Sequence, residues 1–136
     1  NRAMRRQYHF RKTDRGVLIW DVHRLIALSR DFPVVEVPLS AIRELDEPYW
    51  YGHGGTTPPT CRSVAEHAKL IRETDPAYPI ILSADGRVMD GMHRICKAWM
   101  EGRATIRAVC FPEDPEPDHI DVPPGQLSYD DPEPGP

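Results

Sequence analysis

The sequence predicts an α/β (α+β) domain, a small mixed sheet with helices packed on it. Three observations predict it. Ala104, Ile106, Ala108 and Cys110 alternate with Thr105, Arg107 and Val109, the period of a strand with one buried and one mixed face. Ile95, Ala98, Trp99 and Gly102 recur at helical spacing, with Gly102 placed as a C-terminal cap. The apolar runs Ile80-Ile81-Leu82 and Val88-Met89 flank Asp85-Gly86, the signature of a β-hairpin.

From the N-terminus, Arg2, Arg5, Arg6, Arg11, Lys12 and Arg15 make a basic arm. Tyr8, Phe10 and Val17-Leu18-Ile19 predict short extended pieces around Asp14-Arg15-Gly16. Trp20, Leu25 and Leu28 follow helical spacing, with Asp21 as N-cap and Pro33 beyond the end. That helix is expected to cover one face of the sheet, so residues 1–33 form an arm and helix on the core. An opening strand precedes a long loop over residues 43–60. A helix over 64–74 follows, capped by Thr60 or Ser63, with Glu66 at the capping-box spacing from Ser63. The main domain runs over 34–111. Residues 112–136 hold eight prolines, eight acidic residues and no Lys or Arg, which predicts a solvated acidic tail.

A chain of 136 residues with 40% hydrophobic and 28% charged residues suits one globular domain. The absence of a membrane-spanning apolar run and of an apolar signal core predicts a cytoplasmic protein with no membrane partner. The sequence assigns no oligomeric state. Cys61, Cys96 and Cys110 show neither metal-ligand nor disulfide spacing, so no structural metal is expected. Net charge is −4; without the tail, 17 basic residues face 21 − 8 = 13 acidic ones, or +4. That balance suits a small anionic ligand and leaves DNA as a less favoured partner, since no basic stripe with interleaved aromatics is present.

The chemistry concentrates at Asp90-Gly91-Met92-His93-Arg94, between strand and helix. Gly91 permits close approach of the backbone. The helix start from Met92 offers unpaired N–H groups to an anion, and His93 and Arg94 add donors as a positively charged pair. The competing reading makes His93 and Arg94 solvated helix residues. In the long loop, Tyr49-Trp50-Tyr51 either anchors the loop to the core or lies against a ligand's base ring. Glu44, Asp46 and Glu47 supply carboxylates near the end of the opening strand. Asp90 is open as a Mg²⁺ or substrate-amine ligand or as a turn residue. His67 and Lys69 read as surface groups.

Several of these segments together resemble ParB N-terminal domains and sulfiredoxins over roughly residues 34–111. They are the strand and turn Val35-Glu36-Val37-Pro38-Leu39-Ser40-Ala41-Ile42, the helix before Tyr78-Pro79-Ile80-Ile81, and the Asp90–Arg94 helix with its closing strand. Met92 stands where sulfiredoxins carry their catalytic cysteine, which removes sulfinic-acid repair. The chain lacks the G-E-R-R motif and helix-turn-helix of chromosome-loading ParB proteins. The motif is most similar to that of the free serine kinases, D-G-x-H-R.

That resemblance implies nucleotide binding, with ATP or ADP and Mg²⁺, and phosphoryl transfer to a small hydroxyl compound. It places phosphates on Gly91, Met92, His93, Arg94 and Arg62, and Mg²⁺ or substrate on Asp90 and Glu44. Carried over by position, Glu47 is the first choice for catalytic base and Asp46 the second. The alternative is a non-catalytic ParB-like nucleotide-binding or DNA-associated adaptor. A nuclease ranks last, because no metal-ligand cluster extends beyond the loop acids.

Overall fold

The computed structural model describes residues 7–51 and 59–128. In chain order its elements are β1 (Tyr8–Thr13), β2 (Gly16–Asp21), α1 (Val22–Ser29), β3 (Val35–Pro38), α2 (Cys61–Glu73), β4 (Ile80–Leu82), β5 (Val88–Asp90), α3 (Met92–Met100), β6 (Thr105–Cys110) and β7 (His119–Ile120). Two short 3-10 turns, Leu39–Ala41 and Arg43–Asp46, follow β3. The described chain is therefore mixed α+β, with two small sheets and three α-helices. It forms two compact units: residues 7–31 with 114–128, and residues 32–51 with 59–113.

In the first unit, β1, β2 and β7 make an antiparallel sheet in that order. Trp20 lies within β2 rather than opening the helix. Asp21 does cap α1, its Oδ1 accepting from the His23 N–H at 2.9 Å. Leu25 is fully buried, whereas Leu28 is exposed. α1 belongs to this first unit with β2.

The expectation of a solvated tail is overturned for residues 114–128. Asp121 Oδ1 accepts from the Val17 N–H at 2.8 Å, and Asp118 Oδ2 from the Asp21 N–H at 2.8 Å. The Trp20 indole donates to the Pro115 carbonyl at 2.8 Å. Arg11 pairs with Asp114 at 3.0 Å. The segment is ordered by satisfying the donors of a sheet edge, and only Leu127 is a buried apolar residue within it. Composition rules price apolar burial and miss such polar complementarity. Residues 1–6, 52–58 and 129–136, with Arg2, Arg5 and Arg6 of the basic arm, the glycine-rich loop centre and the tail's end, lie outside the described residues.

The second unit has the sheet order β3-β6-β4-β5. β3 and β6 run antiparallel, β4 and β6 parallel, and β4 and β5 form the expected hairpin. The parallel step needs a crossover, and β5 with α3 supplies it. Leu39, Ile42, Ile80, Leu82, Val88, Met92, Ile95, Ala98 and Ala108 form one buried cluster under α3 and the 3-10 turns. β6 differs from its expected pattern: Val109 is buried and Cys110 exposed.

α3 ends as its glycine requires. Gly102 has φ +75, Gly102 N–H donates to the Trp99 carbonyl and Arg103 N–H to the Ala98 carbonyl, both at 3.0 Å. This is the Schellman pattern, which needs a left-handed residue after the last turn. Among the described residues, no helix is long and apolar enough to cross a membrane.

Candidate functional site

β5 delivers the chain to Gly91, whose φ of +110 turns it into α3. A Cβ there would lie 2.6 Å from Ile80 Cγ2 and 2.9 Å from Arg94 Nη2. Glycine is thus required by the backbone and by the protein's own side chains, a reason distinct from the ligand approach read in the sequence. No side chain caps α3, whereas Asp21 caps α1 and Thr60 Oγ1 caps α2 through the Ser63 N–H at 3.1 Å. The first turn of α3 offers its positive end and its backbone donors without a built-in acceptor.

Three of the motif side chains are placed differently from expectation. Met92 is buried in the core cluster, so only its backbone is available to an anion. Arg94 is neither solvated nor free: Nη2 donates to Asp90 Oδ2 at 3.1 Å and to the Pro79 carbonyl at 3.3 Å. Its Nε is buried and without a hydrogen-bond partner among the described residues. Asp90 is accordingly the counter-ion of Arg94.

His93 is not the cation the sequence suggested. Its Nε2 lies 2.9 Å from His67 Nδ1, a direct hydrogen bond between imidazoles. Trp50 stacks on both rings, 4.1 Å from His67 and 4.6 Å from His93 at interplanar angles of 19°. Tyr51 meets His67 edge-on and bonds Ser63 Oγ at 3.0 Å. Burial, then His67 and Arg94, push His93 down to about 4, and burial also lowers His67. Both rings are neutral at pH 7, so His93 meets an anion as a hydrogen-bond donor.

His67 read as a surface group; the structure makes it part of the site. The signal is faint: a histidine one α-helix away from the motif, with no spacing rule to join them. The anchoring reading of the aromatic triplet is the one the packing supports, since Tyr49 and Trp50 pack against the core cluster.

The loop carboxylates have three different fates. Glu47 gives both oxygens to the Arg87 fork, at 2.6 and 3.1 Å. The first-choice base thus faces a guanidinium rather than an open substrate position. Asp46 is exposed at the end of a 3-10 turn. Glu44 is buried, accepting from the Val88 N–H at 2.8 Å and pairing with Arg87 Nε at 3.2 Å. Its Oε1 is buried without a hydrogen-bond partner among the described residues. The Tyr49 hydroxyl is raised to about 12, first by burial and then by Glu44 and Asp90. The fields of the loop acid and the motif acid therefore meet at one tyrosine.

Arg62 is exposed on the first turn of α2. The second arginine of the supposed phosphate clamp is thus a surface residue on a helix start that Thr60 already caps. Among the described residues, no three His, Cys, Asp or Glu side chains cluster as a metal site. The positive balance inferred by discarding the tail also fails for this unit: residues 32–113 contain nine Lys and Arg and eleven Asp and Glu, a net of −2. What favours an anion here is local, at the entry to α3. Comparisons with family models, with curated proteins and with solved structures each find no match to this chain.

Proposed function

We propose that residues 32–113 hold the phosphates of a nucleotide, ATP or ADP, at the start of α3 and pass a phosphoryl group to a small hydroxyl compound. The reading rests on the resemblance to the free serine kinases of the ParB/sulfiredoxin-like group. The observation that carries it is the entry to α3, where a left-handed Gly91 opens a helix that no side chain caps and sets His93 and Arg94 in its first turn. Mg²⁺ does not fit an all-protein cage here, since Asp90 is paired with Arg94 and no three-ligand cluster is present among the described residues. It fits as an ion brought by the phosphates and held by at most one protein carboxylate, Glu44 Oε1 or Asp90, where it would neutralise phosphate charge.

A specific observation favours a second reading, nucleotide binding without transfer: Glu47, the expected base, is bound at both oxygens by Arg87. One experiment separates the readings. Thermal shift with ATP, ADP, CTP and GTP, each with Mg²⁺, is expected to show stabilisation by one nucleotide, about 2.7 kcal/mol at a hundredfold excess over Kd. That shift should be lost in His93→Ala. With free serine added, phosphoserine detected by mass spectrometry supports transfer, and binding without product supports the second reading. No shift with any nucleotide rejects both.

A further inference from the structure

The bond between the two imidazoles consumes one specific nitrogen of His93. Nε2 faces His67 Nδ1 at 2.9 Å, so the nitrogen left for a ligand is Nδ1. A neutral imidazole carries one hydrogen. If His93 Nε2 donates to His67, Nδ1 is a bare lone pair and repels an oxygen anion. If Nε2 accepts from His67, Nδ1 carries the hydrogen and donates to the anion. His67 thus decides which chemistry His93 presents at the start of α3.

We propose that His67 is a positioning residue that donates from Nδ1 to His93 Nε2, fixing His93 as an Nδ1–H donor to a phosphate oxygen. This rests on the phosphate reading above and names the residue that tunes it. Trp50 stacks over both rings at 19°, and the rings lie within 21° of each other, an orientation that suits a bond between them. The charged groups that act on the pair are Arg94, which disfavours a proton on His93, and Glu66, which favours one on His67. Burial, the largest effect on both rings, keeps the pair neutral near pH 7, and neutrality is what makes a fixed tautomer meaningful.

The test uses the full chain and inorganic pyrophosphate or ADP as probes. Long-range ¹H–¹⁵N spectra of the histidine rings report which nitrogen bears the hydrogen. The expected result is Nδ1–H on both His67 and His93. His67→Ala is expected to move the His93 hydrogen to Nε2 and to weaken pyrophosphate binding about tenfold, the worth of one hydrogen bond to an anion. His67→Asn, whose amide nitrogen stands near the position of Nδ1, is expected to restore affinity to within about threefold of wild type. A simple packing role would not discriminate the two variants in this way. An Nε2–H on wild-type His93, or binding that His67→Ala leaves unchanged, overturns the role given to His67. Wild-type protein that binds neither pyrophosphate nor ADP overturns the phosphate reading itself.

Discussion

Gly91 shows how one residue serves local geometry and the candidate site together. Its φ of +110 and the 2.6 Å approach to Ile80 both exclude a side chain. Gly91→Ala combines left-handed strain with overpacking and is expected to cost about 2–4 kcal/mol, read as a lower urea midpoint. A destabilisation below about 1 kcal/mol would show that the β5–α3 junction relaxes freely. Residue-level reading of the sequence singled out Gly91, His93, Arg94 and Glu44, because each sits next to a recognisable turn or strand end. It did not name the protein side chains that they meet. Met92 turned inward because helical period places it with Ile95 in the core. Glu47 met Arg87 across 40 residues, and His67 met His93 across 26; no local pattern encodes such pairings.

At the scale of elements, the local rules worked where the backbone itself sets the demand. The Asp85-Gly86 hairpin, the Asp21 cap, the Gly102 stop and the closing strand all followed from turn chemistry and periodicity. The cap of α2 was narrowed to Thr60 or Ser63, and the structure chooses Thr60 while Ser63 Oγ bonds Tyr51. Removing the cap by Thr60→Ala is expected to cost about 1 kcal/mol. Ser63→Ala, by contrast, should loosen Tyr51 and leave the start of α2 intact. Amide hydrogen exchange in the first turn of α2 separates them: faster in Thr60→Ala, unchanged in Ser63→Ala. Equal acceleration in both would mean that the hydroxyl of Ser63 shares the capping.

At the scale of the whole molecule, stability carries a pH signature in each unit. Burial holds His9 near 4 in the first unit, and burial with His67 and Arg94 holds His93 near 4 in the second. Unfolded histidines titrate near 6.5, so between 4 and 6.5 the unfolded chain binds more protons than the folded one. Stability is therefore full above about pH 6.5 and falls as pH drops through that value towards 4. The expected loss between pH 7 and pH 5 is about 1–2 kcal/mol for a fully desolvated imidazole. The half-buried His93 contributes less than that. Urea midpoints measured across that range check it, and His9→Gln should flatten the slope of the first unit. A midpoint independent of pH over this range would mean that both rings protonate in place.

The sequence by itself determined the mixed α+β class, the hairpin and the helix ends. Each depends on chain neighbours, through period, turn dihedrals and capping, which act within a few residues. Only the tertiary structure decided that the acidic stretch 114–128 completes a sheet edge, that the unit bearing the motif has a net charge of −2, that Glu47 is bound by Arg87, and that His93 is a neutral ring bonded to His67 under Trp50. These are long-range pairings. Their energies depend on burial and on the partner's position, and both come into being only when the chain has folded.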